Sequence, residues 1–256
     1  MVSSKDVKAT LTGYLKELHL PTFREIYEEA AHRAQQETLS YERYLLELTE
    51  RECEVRRANR VERMLRQSRL PLEKSLDNFD LKHLPAKVAR QVRALSEGGF
   101  LDRCENILVF GNSGTGKTHL LSGVGQELVR LGRKVYFRTC SLLVQELLIA
   151  KRDLKLSRLL KRLSGFDAII IDDIGYVQQS REEMEVLFTL LAERYERGSV
   201  MLTSNLPFSK WETIFKDPMT TCAAIDRLVH HSVILELNVP SYRLEEAKRS
   251  RQKQKG

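Results

Sequence analysis

The sequence lacks the features that would place this chain in a membrane or among disulfide-stabilised secreted proteins. No apolar stretch approaches the roughly 18 to 20 uninterrupted residues that a transmembrane helix requires, and the N-terminal Met-Val-Ser-Ser-Lys-Asp lacks the apolar core of a signal peptide. The four cysteines form no Cys-x-x-Cys pair, so neither a zinc site nor a disulfide framework is indicated: Cys53, Cys104, Cys140 and Cys222. We therefore expect a cytoplasmic protein with reduced thiols and no membrane partner.

Negative charge is in the minority. The 256 residues include 42 Lys and Arg against 35 Asp and Glu, a formal net charge of +7. This balance favours polyanionic partners, because basic side chains that neutralise phosphates release condensed counterions. Net charge alone is weak evidence, since many basic proteins use their charge only to avoid self-association. The positions of the basic residues in the sequence are therefore needed to tell a polyanion-binding surface from a charge that only keeps the protein from self-association.

The most informative motif is a phosphate-binding loop. Residues 111–118 read Gly-Asn-Ser-Gly-Thr-Gly-Lys-Thr, after an apolar run at 106–110 and before a predicted helix. Glycines let successive N–H groups surround phosphates at a helix N-terminus, Lys117 reaches the β and γ phosphates, and Thr118 offers its hydroxyl to Mg²⁺. The sequence predicts a nucleoside triphosphate site with these residues: Gly111, Asn112, Ser113, Gly114, Thr115, Gly116, Lys117, Thr118 and His119.

Two further strand ends carry candidate catalytic groups. An apolar run from Ala168 ends in Asp172 and Asp173, the pattern of a Walker B element. We expect Asp172 to hold Mg²⁺, directly or through water, and Asp173 to accept or orient the proton of a water that attacks the γ-phosphate. Asn205 follows the next strand and is predicted to contact that water or the γ-phosphate. An ordinary turn is the alternative for Asn205.

A candidate for catalysis between subunits lies near the last strand. Arg227 has the planar charge that stabilises a phosphoryl-transfer transition state, and from this place it would reach a neighbouring subunit's nucleotide. A structural pair between Asp226 and Arg227 fits the spacing equally well. His230 and His231 are adjacent, so on a helix or strand they point in different directions, which argues against a joint metal site.

The order of the predicted elements indicates a helical N-terminal region followed by an α/β fold. Five candidate strands alternate with helical patterns, which is typical of a parallel sheet covered by helices: 106–110, 134–139, 167–171, 199–203 and 232–237. Residues 1–75 show three helical patterns with Pro21 and Ser40 as starts. We predict a helical DNA- or partner-binding domain at 1–75, an ATPase domain at 76–242 and a basic tail at 243–256, with a linker near 70–80.

Two basic clusters are candidate DNA contacts. A long helix from residue 41 carries an arginine-rich side that includes Arg56, Arg57 and Arg60. Further along, Lys151, Lys155, Arg158 and Arg162 have the spacing of one continuous cationic stripe if the segment is helical. For the first cluster, the preferred interpretation is contact with the DNA backbone or docking of a partner. For the second cluster, it is contact with DNA phosphates. A solvated face is the alternative for both.

Taken in order, these residues resemble the IstB family of transposition helper ATPases, which is related to the DnaC and DnaI helicase loaders of the AAA+ class. The resemblance spans almost the whole chain, and these segments carry it: Tyr14–Leu18, Leu76–Asp80, Glu105–Asn106, Gly116–Leu120, Leu147–Leu163, Asp172–Tyr176, Thr203–Asn205 and Asp226–Leu228. It implies an ATP-regulated homo-oligomer, with Mg²⁺ as a cofactor, that assembles on double-stranded DNA, bends the target site and recruits or stimulates a transposase.

The resemblance also assigns roles to single residues. Lys117 and Thr118 match the phosphate and Mg²⁺ ligands, Asp172 and Asp173 the Walker B pair, Asn205 sensor 1 and Arg227 the arginine finger. Asp173 stands where the family usually has glutamate, and its side chain is one methylene shorter, which we expect to slow hydrolysis. The chain stops soon after the last strand, so we expect no helical lid or a minimal one, with Arg243 as a substitute for the lid's sensing arginine.

Three other functions stay open at this stage. A replicative helicase loader would use the same fold on single-stranded DNA, although a helicase-docking module would then be expected at the N-terminus. A small-molecule kinase would need an acceptor-binding insert, and none is evident between the strands. A nucleotide-gated scaffold without catalysis would follow if Asp173 fails as a base.

Overall fold

The computed structural model describes residues 4–175, 180–213 and 225–242. The chain divides into two compact units, residues 1–63 and residues 64–256. Among the described residues, no helix combines the length and the apolar character needed to cross a bilayer. Cys222, Tyr176 and the predicted sensing arginine Arg243 lie outside the described residues.

The first unit is helical, as predicted. It contains α1 (Ser4–Glu17), α2 (Pro21–Gln36) and the part of α3 (Tyr41–Ser68) up to residue 63. Pro21 begins α2, where its missing N–H costs no helix hydrogen bond, and the Ser40 hydroxyl accepts the Arg43 N–H at 3.3 Å. Both predicted helix starts are confirmed.

A buried carboxylate joins α3 to the start of α2. Glu52 is 4% exposed, and its carboxylate accepts the N–H groups of Thr22 at 3.0 Å and Phe23 at 3.4 Å. The Nε of Arg56 donates to the same carboxylate at 2.7 Å, and the Arg56 guanidinium also donates to the His19 carbonyl. Burial raises the pKa of Glu52, but these hydrogen bonds outweigh it and hold the pKa below its usual range. Arg56 therefore has a structural role within this unit.

The second unit is built on the parallel five-stranded sheet that the sequence predicted. Its strands are β1 (Asn106–Phe110), β2 (Val135–Thr139), β3 (Ala168–Ile174), β4 (Ser199–Ser204) and β5 (Ser232–Glu236). Their order is β2-β3-β4-β1-β5, and every neighbouring pair is parallel. β3 was expected to end at 171 but continues to Ile174, because a register shift between Ile171 and Ile174 lets pairing with β4 resume beyond the two carboxylates.

Helices cover the sheet on the described part of the chain. They are α4 (Ala86–Ser96), α5 (Gly99–Asp102), α6 (Lys117–Arg130), α7 (Cys140–Arg152), α8 (Leu156–Leu163) and α9 (Arg181–Arg194). Shorter turns lie at Leu81–His83 and Phe208–Thr213, and residues 225–229 are helical. A capping box begins α9: the Ser180 hydroxyl accepts the Glu183 N–H while the Glu183 carboxylate accepts the Ser180 N–H.

A buried arginine fixes the turn between α9 and β4. The Arg194 guanidinium donates to the carbonyls of Phe166 at 2.6 Å, Asp167 at 2.9 Å and Ser199 at 2.9 Å. Burial lowers its pKa to about 10, still far above neutrality, so the side chain stays charged. These bonds hold the start of β4 beside the start of β3. They therefore help to fix the pairing register of these two strands, which end at the opposite edge of the sheet.

Candidate nucleotide-binding site

A cavity of about 540 Å³ lies at the carboxyl ends of the strands and is lined by the predicted phosphate-binding residues from Ser113 to His119. Asp173 and Asn205 line the same cavity. Gly111 and Asn112 form the start of the loop that precedes α6. The fold therefore brings the three separate sequence motifs together, as expected where parallel strands end side by side.

The loop is held in its curved shape by its own lysine and by glycine geometry. The Lys117 ammonium donates to the carbonyls of Gly111 at 2.8 Å and Asn112 at 2.9 Å. Gly116 has φ +92°, and a Cβ at this position would lie 2.8 Å from Cε2 of Phe79. Only glycine fits both the left-handed backbone and the approach of this ring. α6 begins directly at Lys117, so its N-terminal N–H groups face the cavity.

Asp172 is the centre of a hydroxyl network. Its Oδ1 accepts the Thr118 hydroxyl at 2.9 Å and the Thr203 hydroxyl at 2.7 Å. Thr203 also accepts the Asp173 N–H at 2.8 Å, so one fully buried hydroxyl orients both carboxylate residues. Burial raises the pKa of Asp172, and the two hydroxyls together with the charge of Lys74 oppose that rise.

The hydroxyl and carboxylate oxygens of this network suit magnesium. Mg²⁺ prefers hard oxygen donors and is typically bound through one or two carboxylates together with substrate phosphates. Thr118 and Asp172 supply such donors at the edge of the phosphate-binding loop. The residues present therefore fit the predicted metal.

The side chains of Asp173 and Asn205 lie outside this hydroxyl network and face the cavity. Asp173 lies at the β3 irregularity with φ +59°, a left-handed conformation that turns its side chain away from the regular pleat. It is exposed and lines the cavity, and Asn205 lines it from the end of β4. Both side chains are thus available to a ligand in the cavity, which their predicted roles require.

The rest of the cavity lining comes from segments for which the sequence predicted no ligand role. One segment includes Phe79, whose ring meets the His119 ring edge-on with centroids 5.2 Å apart. The other includes Tyr242, whose N–H donates to the Gly114 carbonyl at 3.0 Å. The described lining from these segments comprises Lys74, Asn78, Phe79, Asp80, His83, Leu84, Val239, Pro240 and Tyr242. The predicted linker near 70–80 therefore contributes directly to the cavity.

Arg227 lies outside the described lining of this cavity. It is an exposed residue of the 225–229 helix. No ion pair joins it to Asp226 within the described residues. An exposed guanidinium that does not face its own chain's nucleotide cavity is available to a second molecule.

The predicted continuous cationic stripe at 151–162 is not formed. α7 ends at Arg152 and α8 begins at Leu156, and Leu154 between them has φ +58° and is 93% exposed. This backbone reversal breaks the helical spacing on which the stripe depended. In addition, Lys151 pairs with Glu185 at 3.0 Å and Lys155 with Asp153 at 3.2 Å.

Four of the predicted DNA-contact residues remain without a protein partner in the part of the chain that the structure describes: Arg57, Arg60, Arg158 and Arg162. Arg57 and Arg60 are exposed on α3, and Arg158 and Arg162 are exposed on α8. Their assignment to DNA stays a prediction.

The two adjacent histidines do not have the helix or strand geometry that would make their side chains point in different directions. His230 and His231 lie in the turn between the 225–229 helix and β5, and not on a helix or strand. Their ring centroids are only 4.1 Å apart. A turn lets adjacent side chains converge, whereas a strand would direct them to opposite faces.

Comparison with known proteins gives a consistent match. Residues 13–250 match the family profile described as IstB-like ATP binding protein. A Sinorhizobium fredii protein, named as the proposed ATP-binding protein of an insertion sequence, is 41% identical over 248 residues, covering 95% of this chain and 83% of the relative. A protein of the same description from the insertion sequence IS5376 of Geobacillus stearothermophilus is 36% identical, covering 97% of this chain and 99% of the relative.

The fold itself has solved counterparts. The crystal structure of the DnaC helicase loader superposes with a TM-score of 0.56 at 15% sequence identity, covering 64% of this chain and 96% of that chain. Similarity at this level of identity shows a shared fold.

Proposed function

We propose that this chain, which belongs to the IstB-like ATP binding protein family, is an ATPase that assembles on double-stranded DNA, remodels it and recruits or stimulates a transposase. One observation carries the proposal. The phosphate-binding loop, Asp173 and Asn205 line one cavity, and the buried Asp172 is hydrogen-bonded to Thr118 of the loop, while Arg227 is exposed outside the described lining. We infer that Arg227 of a neighbouring subunit completes this ATP site.

ATP is the proposed ligand of the cavity. The loop N–H groups and Lys117 would hold its phosphates, because they combine donors, positive charge and a helix N-terminus. The family profile and both relatives carry ATP binding in their names. The aromatic and apolar residues of the lining, which include Phe79 and Tyr242, would receive the planar base.

Hydrolysis would depend on the carboxylates at the end of β3. Thr118 and Asp172 would hold Mg²⁺, which when bound neutralises charge on the phosphates. Asp173 would orient the attacking water, with Asn205 beside it. Because the Asp173 side chain is shorter than glutamate, we expect slow turnover, which suits a protein that uses ATP as an assembly switch.

Assembly would place Arg227 of one subunit against the nucleotide of the next. An arginine that acts between subunits stabilises the transition state and makes catalysis depend on contact. ATP would thereby favour the assembled state and hydrolysis would dissolve it, because ADP lacks the γ-phosphate that the arginine contacts.

DNA binding would use the unpartnered arginines. Arg57, Arg60, Arg158 and Arg162 are exposed, and each neutralised phosphate adds a salt-sensitive contribution to affinity. The relatives are named for insertion sequences, which are mobile DNA elements, and this supports duplex target DNA and a transposase as partners.

Size-exclusion chromatography with light scattering tests this function. The full chain is measured with ATP or ADP, each with double-stranded DNA, with single-stranded DNA and without DNA. We expect an assembly larger than a dimer with ATP and double-stranded DNA, and dissociation with ADP. A monomer in every condition would overturn the proposal, and assembly on single-stranded DNA alone would favour a helicase loader instead.

A further inference from the structure

Three metal-ligating side chains meet at the end of the sheet away from the nucleotide cavity. Glu196, His230 and His231 each present one ligand atom, and these atoms all lie within 4.8 Å of one another. The His231 carbonyl accepts the Asn106 N–H at 2.7 Å, which places the cluster near the amino end of β1. All three side chains are exposed, so an ion reaches them directly from solvent.

The chain path explains why these residues converge. The turn before β5 brings the two imidazoles to a centroid separation of 4.1 Å with ring planes inclined by 60°. Glu196 comes from the turn between α9 and β4, 34 positions before His230 in the sequence. Strand order supplies the proximity, because β4 and β5 both flank β1 in the sheet.

One of the histidines already has the orienting partner that metal sites use. Nδ1 of His230 lies 3.0 Å from the Tyr195 hydroxyl, which leaves Nε2 for an ion. In metal sites a ligating histidine characteristically uses its other ring nitrogen to hydrogen-bond an oxygen, which fixes the ring and its tautomer. Tyr195 precedes Glu196, so a single turn supplies both a ligand and the group that orients another.

Hydrogen bonds to Arg194 hold the turn that carries Glu196. The N–H groups of Arg197 and Gly198 donate to the Arg194 carbonyl at 3.0 Å and 3.1 Å, and the buried Arg194 guanidinium donates to carbonyls of two segments, residues 166–167 and Ser199. The carboxylate of Glu196 therefore extends from a segment of backbone that is held in place by hydrogen bonds. A site built on a rigid element needs little reorganisation to bind its ion.

We propose that Glu196, His230 and His231 form a zinc site with an open fourth position for water. Two imidazoles and one carboxylate are a known ligand set for Zn²⁺, whereas Mg²⁺ and Ca²⁺ favour oxygen ligands alone. Tetrahedral coordination places ligand atoms about 3.4 Å apart, which follows from Zn–N and Zn–O distances of about 2.1 Å. Because all three side chains are exposed, we expect them to rotate and close the difference from 4.8 Å when the ion binds.

Zinc at this site would also affect the 225–229 helix. His230 and His231 directly follow that helix, and Arg227 lies on it, three positions before His230. An ion shared with Glu196 would fasten the end of the helix to the α9–β4 turn. This regulatory consequence rests on the proposed function, since it matters only if Arg227 completes a neighbour's ATP site; the zinc site itself does not depend on it.

Metal binding to the full, tag-free chain tests the proposal without ATP or DNA. Equilibrium dialysis against Zn²⁺ in excess Mg²⁺, followed by metal analysis, should give one equivalent of zinc. Glu196→Gln, His230→Gln and His231→Gln should each lower the affinity by more than tenfold, and Tyr195→Phe by about tenfold through loss of the orienting bond. Substituted Co²⁺ should give the intense visible absorption of a four-coordinate site, and each ligand variant should lose it.

Matched controls separate the site from general effects. Glu193→Gln removes a nearby exposed carboxylate that pairs with Arg197, and His32→Gln removes a histidine of the first unit. Both should keep wild-type affinity for zinc. Because the ligands are exposed, the metal-free variants should unfold at the wild-type temperature.

Either of two results would overturn the zinc site: no stoichiometric binding at micromolar Zn²⁺, or binding that survives all three ligand substitutions. Amide exchange with and without zinc then tests the consequence. Residues 225–236 should gain protection in the wild type and not in His231→Gln; unchanged exchange would remove the proposed effect on the Arg227 helix while leaving a zinc site in place. Because neither measurement involves nucleotide, failure of the ATPase proposal would leave both results unaffected.

Discussion

Thr203→Val is the substitution that tests the site geometry most sharply. Valine has nearly the same shape, so the fully buried position stays filled while two hydrogen bonds are removed. One is the donation to Oδ1 of Asp172, and the other is the acceptance of the Asp173 N–H. Both carboxylate residues lose the hydroxyl that orients them, and neither is itself changed.

The size of the effect follows from these two bonds. A hydrogen bond to a charged group contributes about 1.5 to 3 kcal/mol, and the orphaned N–H of Asp173 adds to the loss, so we expect a stability decrease of about 2 kcal/mol or more. For catalysis, loss of a group that orients a metal ligand costs about 10- to 100-fold. That range corresponds to about 1.4 to 2.7 kcal/mol in transition-state free energy.

The pH dependence gives a second, independent signature. The Thr203 hydroxyl lowers the pKa of Asp172 against the raising effect of burial, so its removal raises that pKa further. Since metal binding needs the ionised carboxylate, the acid-side loss of ATPase activity should begin at a higher pH in Thr203→Val than in the wild type. Thr203→Ser keeps the hydroxyl and should restore the wild-type profile.

The assay is steady-state ATP hydrolysis, with Mg²⁺ titrated at several pH values, in wild type, Thr203→Val, Thr203→Ser and Thr189→Val. Thr189→Val is the matched control, because it removes a hydroxyl that only donates to the Glu185 carbonyl within α9. If Thr203→Val keeps the wild-type kcat, Mg²⁺ dependence and pH profile, the hydroxyl network does not organise the site and the reasoning is refuted.

Three further outcomes are expected. Gly116→Ala should weaken ATP binding at least tenfold in a fluorescent-nucleotide titration, because its Cβ would meet the Phe79 ring in a left-handed backbone; wild-type affinity would contradict this loop geometry. Glu52→Gln should lower the thermal unfolding temperature of the full chain at pH 7, and the gap from wild type should close on acidification. The folded pKa of Glu52 is depressed, so its contribution is present above the unfolded value, near 4.3, and is lost as pH falls through the folded value; a gap independent of pH would contradict it. Arg60→Gln combined with Arg158→Gln should weaken duplex binding and reduce its salt dependence by about two units of slope, measured by fluorescence anisotropy, and an unchanged slope would remove both residues from the DNA surface.

The parts of the fold that local sequence determines were predicted well. The apolar runs of β1 and β3 are continuous because strands in a parallel sheet are buried on both faces, and this pattern is readable without knowing their neighbours. The phosphate-binding loop was equally readable, since its glycine spacing directly reflects backbone geometry. Asp172 and Asp173 could be placed because they directly follow the apolar run of β3.

The features that could not be predicted from the sequence depend on contacts between distant segments of the chain. The role of Thr203 follows from β4 lying beside β3, and the position of Phe79 over Gly116 requires the whole fold. Both residues lie in segments that carry the family resemblance, but neither a threonine at a strand end nor an aromatic residue upstream of the phosphate-binding loop indicates which residue it contacts. Glu196 and His231 are likewise brought together only by the sheet.

The break between α7 and α8 was missed for a different reason. No glycine or proline marks it, and the leucine and cation spacing continues through residues 151–162 as if one helix ran on. Leu154 takes the left-handed conformation that ends α7 even though the position carries no glycine. The residue types at this position therefore did not indicate a helix end, and the break is visible only in the structure.

The central claim is that ATP is hydrolysed between subunits, and mixing two inactive variants tests it most directly. Arg227→Ala keeps an intact nucleotide cavity but lacks the arginine, whereas Asp173→Asn keeps the arginine but lacks the proposed base. Each alone should have little ATPase activity on duplex DNA. The mixture should regain a substantial fraction, because the intact cavity of one variant would meet Arg227 of the other; a mixture that stays as inactive as its components, although both variants still assemble, would contradict catalysis between subunits.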